Sequence, residues 1–191
     1  MIVKPANGRA EIIENTNSLQ ITIPSRKNWF LIPFLGFWSM GWLMGEITVI
    51  GALFSSTTPF VAKAFMLVWL GAWTVGGMFA LYGLSWMLTG REVIRLENGI
   101  LTIEKRVTGY SRSRGYELGS VANMAINPSA DLGVFNYYNK WNSFGLKGGK
   151  IKFSYGMQTV KFANDIDEAE ARMILDKLKA NSLLSPSHFE E

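Results

Sequence analysis

The 191-residue chain has no cysteine, which removes disulfides, thiolate metal sites and cysteine nucleophiles from consideration. It has one histidine, His188, in a polar C-terminal stretch, so neither a histidine zinc site nor a Ser-His-Asp triad is expected. The glycines of residues 145–149 lack the strand-to-helix setting and the Lys-Ser ending of a phosphate loop. Asp165, Asp167, Glu168 and Glu170 cluster, but they open a predicted helix, where negative charge is favoured without a metal. No catalytic residue, cofactor or metal site is predicted, and the chain reads as a non-enzyme. Residues 1–27 hold no long apolar run, so a cleavable signal peptide is not expected.

Charge is scarce in two long stretches. Residues 29–54 (WFLIPFLGFWSMGWLMGEITVIGALF) carry one charged residue, Glu46, and residues 64–88 (AFMLVWLGAWTVGGMFALYGLSWML) carry none. About 20 apolar residues at ~1.5 Å rise cover a ~30 Å hydrocarbon core, so each stretch is long enough to span a bilayer. Trp29, Trp38, Trp42 and Trp86 lie in or at the ends of these stretches, as suits a ring that stays buried while its N–H stays wet. The loop between them is short, predicting an antiparallel transmembrane hairpin over 29–88. Arg26 and Lys27 precede it and Arg91 and Arg95 follow it, while the loop side offers Lys63. Both termini are therefore expected in the cytoplasm, in a bacterial inner-membrane, multi-pass arrangement. The net charge of +4 is explained by these flanking cations, and nucleic acid is not an expected partner.

Within the spans, Gly41 and Gly45 form a GxxxG pair, and Gly76, Ala80 and Gly83 form a second row of small residues. These suit packing inside the hairpin, or dimerisation through one face. Glu46 has two readings as well: an ion or proton site, or a carboxylate near the outer interface that reaches water, ~25 Å from Trp29.

The remainder alternates with period two. Residues 10–15 and 18–25 predict a β-hairpin ending at Pro24, and a basic collar at 25–28 completes an N-terminal segment, 1–28, with residues 1–9 expected to be poorly ordered. After the spans, residues 91–97, 100–107, 110–118 and 120–128 predict four strands, with Asn98-Gly99 a strong two-residue turn signal. A weak strand is expected over 132–137, and a hairpin over 151–156 and 159–164. Residues 167–181 predict an amphipathic helix capped by Asp167 with Glu170 at capping-box spacing. Residues 182–191 are expected to be a tail. A lone hairpin is marginal in water, so residues 10–24 must pack on the β-rich segment 89–181, making one domain interrupted by the spans. The fold class is α+β: a two-helix hairpin inserted into an antiparallel sheet or barrel closed by a C-terminal helix.

Over about residues 90–180 this layout, GREVIRLENGILTIEKRVTGYSRSRGYELGSVANMAI followed by KFSYGMQTVKFAN and DEAEARMIL, resembles the pleckstrin-homology-like domains of small two-span bacterial membrane proteins. The strand pair before the first span departs from their usual form. The resemblance implies a fold and a non-enzymatic role: a membrane-anchored interaction or scaffolding module whose β domain binds a membrane-protein partner or anionic lipid headgroups. Lys105, Arg106, Arg112 and Arg114 are the candidate headgroup contacts: Lys105 followed by Arg112-x-Arg114 is similar to the spaced basic pattern by which eukaryotic pleckstrin-homology domains hold inositol phosphates, and Arg112 and Arg114 share one strand face. The plainer reading is a solvated basic surface drawn to anionic lipid. A loop bearing Phe135, Tyr137, Tyr138, Trp141 and Phe144 is expected to fill the core or to meet a partner or membrane. The expected partners are the bilayer and a larger membrane-protein complex or homo-oligomer. The alternative function is a small oligomeric transporter or channel subunit with Glu46 in its pore.

Overall fold

In the computed structural model, which describes residues 2–3, 8–128 and 148–190, nine strands form two antiparallel sheets joined to a long helical hairpin. The first sheet has six strands in sequence order: β1 (Ile2–Val3), β2 (Glu11–Asn15), β3 (Ser18–Pro24), β4 (Arg91–Glu97), β5 (Ile100–Val107) and β6 (Tyr110–Glu117). The second has β7 (Val121–Ile126), β8 (Ile151–Tyr155) and β9 (Gln158–Phe162). Helix α1 (Leu31–Phe54) and helix α2 (Phe60–Thr89) leave the first sheet between β3 and β4, and helix α3 (Glu168–Ala180) follows β9.

The interruption does not break the sheet. β3 and β4 pair over all seven residues, from Ser18 opposite Glu97 to Pro24 opposite Arg91. The Ser25 N–H then donates to the Gly90 carbonyl at 2.9 Å, so the chain leaves for the hairpin and returns from it at adjacent points. Asn28 starts α1, its side-chain oxygen accepting from the Phe30 and Leu31 N–H groups.

Alternation sorts the first sheet into rows on its inner face. One row runs Leu19, Leu96, Leu101, Tyr116; the next runs Ile12, Ile21, Ile94, Ile103, Arg114. These apolar residues, with Phe153 and Phe162 from the second sheet and Ile174 and Leu178 from α3, make one core. The third row, nearest the helical hairpin, changes character: Ile23, Glu92, Lys105, Arg112. Turn chemistry sets the registers. Asn98 and Gly99 both take positive φ (52° and 74°), the two-residue turn that the Asn-Gly pair predicts, and Gly109 (φ 76°) closes the β5–β6 turn. A Cβ on Gly149 would stand 1.7 Å from the Phe162 carbonyl oxygen, so only glycine lets the start of β8 meet the end of β9.

Two expectations about the chain ends are corrected. Ile2–Val3 pair with Ile12–Ile13 as β1. Residues 182–190 are not a free tail: Leu184 is buried, Phe189 packs on the core beside Met124, and the Glu190 N–H donates to the Met124 carbonyl. Asp167 caps α3 as expected, accepting from the Glu170 N–H at 2.7 Å. Glu170 does not close a capping box. Its carboxylate accepts from the Arg9 and Ala10 N–H groups (2.6 and 2.7 Å) and ties β2's approach to the helix.

Both hairpin helices are long and apolar enough to cross a membrane. Their contact is set by large rings against missing side chains. Gly77 receives the Trp42 indole, whose Nε1–H donates to the Trp73 carbonyl at 3.2 Å. Gly45 lies against Trp73, and Ala80 and Gly83 are buried. Gly41 and Gly76 face open space, so these two do not belong to the helix contact in which the spacing put them.

Candidate anion-binding cleft

The cleft forms where the first sheet ends in β6 and the second ends in β9. Its walls are Ile103 and Lys105 of β5, Arg112, Arg114 and Tyr116 of β6, and Gln158, Thr159, Val160 and Lys161 of β9, around a cavity of about 340 Å³. Period two explains the cationic wall. Lys105 sits directly opposite Arg112, and Ile103 opposite Arg114, so Lys105, Arg112 and Arg114 share the inner face. The third row thus carries two like charges side by side, an arrangement that costs roughly 0.2–1 kcal/mol in a sheet. Among the described residues the cleft wall contains no carboxylate.

Of the four basic residues singled out from the sequence, three converge here and one does not. Arg106 lies on the opposite sheet face, where its Nε and Nη2 donate to the two oxygens of Glu104 at 2.6 and 2.7 Å. Arg95 adds a longer contact to Glu104 (3.5 Å). The bidentate bond from Arg106 holds the Glu104 carboxyl below the usual glutamate range, and Arg106 itself is raised by the same bond. Lys161 was missed. It reaches the cleft from the other sheet, and no local pattern links it to β6. A two-residue turn at 108–109 did encode the other distinction, since it pairs 107 with 110, hence 105 with 112 and 106 with 111.

Beside the cleft, a buried polar joint connects the helical hairpin to the β domain. Trp86, 1% exposed near the end of α2, donates its Nε1–H to Asp165 Oδ2 at 3.0 Å. Arg9 donates to the Asp165 carbonyl, and the Ser25 hydroxyl donates to the Met87 carbonyl at 3.2 Å. Glu92, 2% exposed, accepts the Asn164 N–H on Oε2 at 2.9 Å. Burial raises the proton affinity of both carboxyls. For Glu92, Lys105 and the Asn164 N–H oppose that rise. For Asp165, the Trp86 bond is the first opposing influence, followed by the Arg26 backbone N–H.

Glu46 turns into its own helix pair, 9% exposed. Its Oε1 accepts the hydroxyl of Thr74, which stands midway along α2, and its Oε2 has no partner. It is therefore level with the middle of α2, deeper than residue counting along α1 suggests. The aromatic group Phe135, Tyr137, Tyr138, Trp141 and Phe144, and the weak strand expected over 132–137, lie outside the described residues. No known family, curated protein or solved structure matches the chain.

Proposed function

We propose that the chain is a membrane-anchored, non-enzymatic interaction module of a bacterial inner membrane, with a pleckstrin-homology-like β domain that holds anionic lipid headgroups in the β5–β6–β9 cleft. In this reading α1 and α2 span the bilayer, and both termini and the β domain lie on the cytoplasmic side, where Arg26, Lys27, Arg91 and Arg95 flank the spans. The observation that carries the reading is the cationic wall of Lys105, Arg112, Arg114 and Lys161, with no carboxylate among the described residues that line the cleft. Its height supports a lipid ligand. The β5–β6 turn touches the end of α2, Thr108 bonding Thr89 through backbone N–H and hydroxyl (3.2 and 2.7 Å). Lys105, paired with Arg112, is three residues from Thr108, at most about 10 Å farther at ~3.4 Å per residue, and long flexible Lys and Arg side chains span several ångströms of that. The headgroup layer beyond the hydrocarbon is ~5–8 Å deep, so a phosphate there is within reach of both side chains. Two guanidiniums two residues apart and two ammonium groups supply the donors that phosphate oxygens accept. The pore alternative is less well supported, because Glu46 spends one oxygen on Thr74 inside its own hairpin.

Full-length protein extracted from bilayers containing phosphatidylglycerol, followed by native mass spectrometry of bound lipid, tests this. Retained anionic lipid is expected for the native chain. Charged hydrogen bonds contribute about 1.5–3 kcal/mol each, so Arg112→Glu with Arg114→Glu should lower occupancy by more than about tenfold. Arg106→Gln, on the other face, should leave it unchanged. Equal occupancy in all three proteins sinks the reading.

A further inference from the structure

We propose that the cleft takes up a phosphate-bearing anion together with a proton, and that the proton goes to Glu92. This rests on the reading of the cleft as an anion site and adds its regulation. The geometry lies in one row of the first sheet. Glu92 stands directly opposite Lys105, which stands directly opposite Arg112. Lys105 therefore belongs to two sites at once: it lines the cleft on one side and faces a buried carboxylate on the other.

Glu92 is incompletely satisfied. Oε2 takes the Asn164 N–H, while Oε1 is buried with no partner. The groups facing it can be named by element. β5 contributes Lys105; the segment after β9 contributes Asp165 and the backbone N–H groups of Ala163 and Asn164; β3 contributes uncharged Ile23. Trp86 of α2, Arg9 and the Arg26 backbone act on Asp165 rather than on Glu92. The Asn164 contact is enforced by Ala163, a buried non-glycine residue at φ 63°, a backbone conformation that costs about 1–3 kcal/mol.

With the cleft empty, the Lys105 ammonium balances the buried carboxylates. An anion seated between Lys105 and Arg112 adds a negative charge one row position from Glu92 and draws on the same ammonium. Arg112 serves the anion alone, but Lys105 would be divided between the anion and the buried Glu92, whose weakened compensation a proton on Oε1 relieves. Charge balances: one anion and one proton enter, and nothing leaves. Linkage makes the effect reciprocal, so lowering the pH tightens anion binding, by up to about tenfold per pH unit while Glu92 titrates.

Calorimetric titration of the full-length protein in phosphatidylcholine nanodiscs, in two buffers of different ionisation enthalpy, counts the protons directly. The probes are dihexanoyl phosphatidylglycerol and dimethyl phosphate. Both are phosphodiesters whose own charge stays constant near neutral pH, and comparing them separates a lipid headgroup from a free phosphate group. The expected result is binding with uptake of up to one proton, falling to none in Glu92→Gln while binding persists. Heat that is identical in both buffers overturns this inference and leaves the anion site standing. Absence of binding by either probe overturns both. Should Glu92→Gln fail to fold, the native protein's buffer dependence decides alone.

Discussion

At the scale of single residues, the joint between hairpin and domain concentrates the energetic tension. Glu92 and Asp165 are carboxyls whose burial raises their proton affinity, with Lys105 opposing the rise at both and Arg9 at Asp165. For a carboxyl raised in the folded state, folding binds protons that the unfolded chain releases. The stabilisation it brings is present below the unfolded value, near the ordinary carboxylate range, and is lost as pH rises through the raised folded value. Glu104 works the other way. Arg106 holds it low, so its contribution is present at neutral pH and is lost on acidification through its depressed folded value. From the ordinary carboxylate range upward to the raised folded values, each buried carboxyl removes up to about 1.4 kcal/mol per pH unit while it titrates. The melting temperature of the native protein in nanodiscs should fall across that range, and Glu92→Gln should flatten part of the fall. A melting temperature that climbs with pH would show that these carboxyls are charged and satisfied in the fold.

At the scale of elements, the helical hairpin separates two glycines that are neighbours in sequence. A Cβ on Gly77 would stand 1.9 Å from the Trp42 ring, so Gly77→Ala must displace the indole and its bond to the Trp73 carbonyl. The expected cost is about 1–3 kcal/mol. Gly76 has nothing within 4 Å, and Gly76→Ala should stay within about 0.5 kcal/mol. Denaturant titration of the two variants in mild detergent distinguishes them; equal losses would mean that Gly76 also packs, as a dimer face would require. Of the small residues that the spacing singles out, Gly45, Ala80 and Gly83 lie in the helix contact and Gly41 and Gly76 do not, because the spacing of small residues names a row but not its rotation. The strands were more legible. Alternation and the Asn98-Gly99 turn specify β2 to β6 nearly to the residue, since a one-residue slip would turn the apolar set to the wrong face. Less legible were contacts between distant segments: Lys161 joining Arg112 and Arg114 across two sheets, Glu170 holding Arg9 and Ala10, and Phe189 returning to Met124. Each is a long-range pairing with no local periodicity behind it.

At the scale of the whole molecule, the insertion point matters more than the inserted helices. Because β3 and β4 are full-length neighbours, and Ser25 and Gly90 share a 2.9 Å hydrogen bond, the two ends of the excursion could be joined by a tight turn without moving the sheet. A chain in which residues 27–89 are replaced by a two-residue Asn-Gly link should therefore fold as a soluble β domain with a cooperative melt, since the core of both sheets and α3 draws no residue from α1 or α2. It should be less stable than the native domain. Excision removes Trp86, and an Asp165 left buried without its indole partner costs about 1–3 kcal/mol. Adding Asp165→Asn to the excised chain should recover part of that loss, because a neutral side chain is cheaper to leave half-satisfied than a carboxylate. Thermal melts of the two soluble chains test the argument as a pair. If the excised chain is a collapsed, uncooperative state in both forms, then the hairpin is part of the folding unit and the β domain does not stand alone. If it folds but Asp165→Asn brings no gain, the Trp86–Asp165 bond is a tether for the hairpin's position and not a support of the domain.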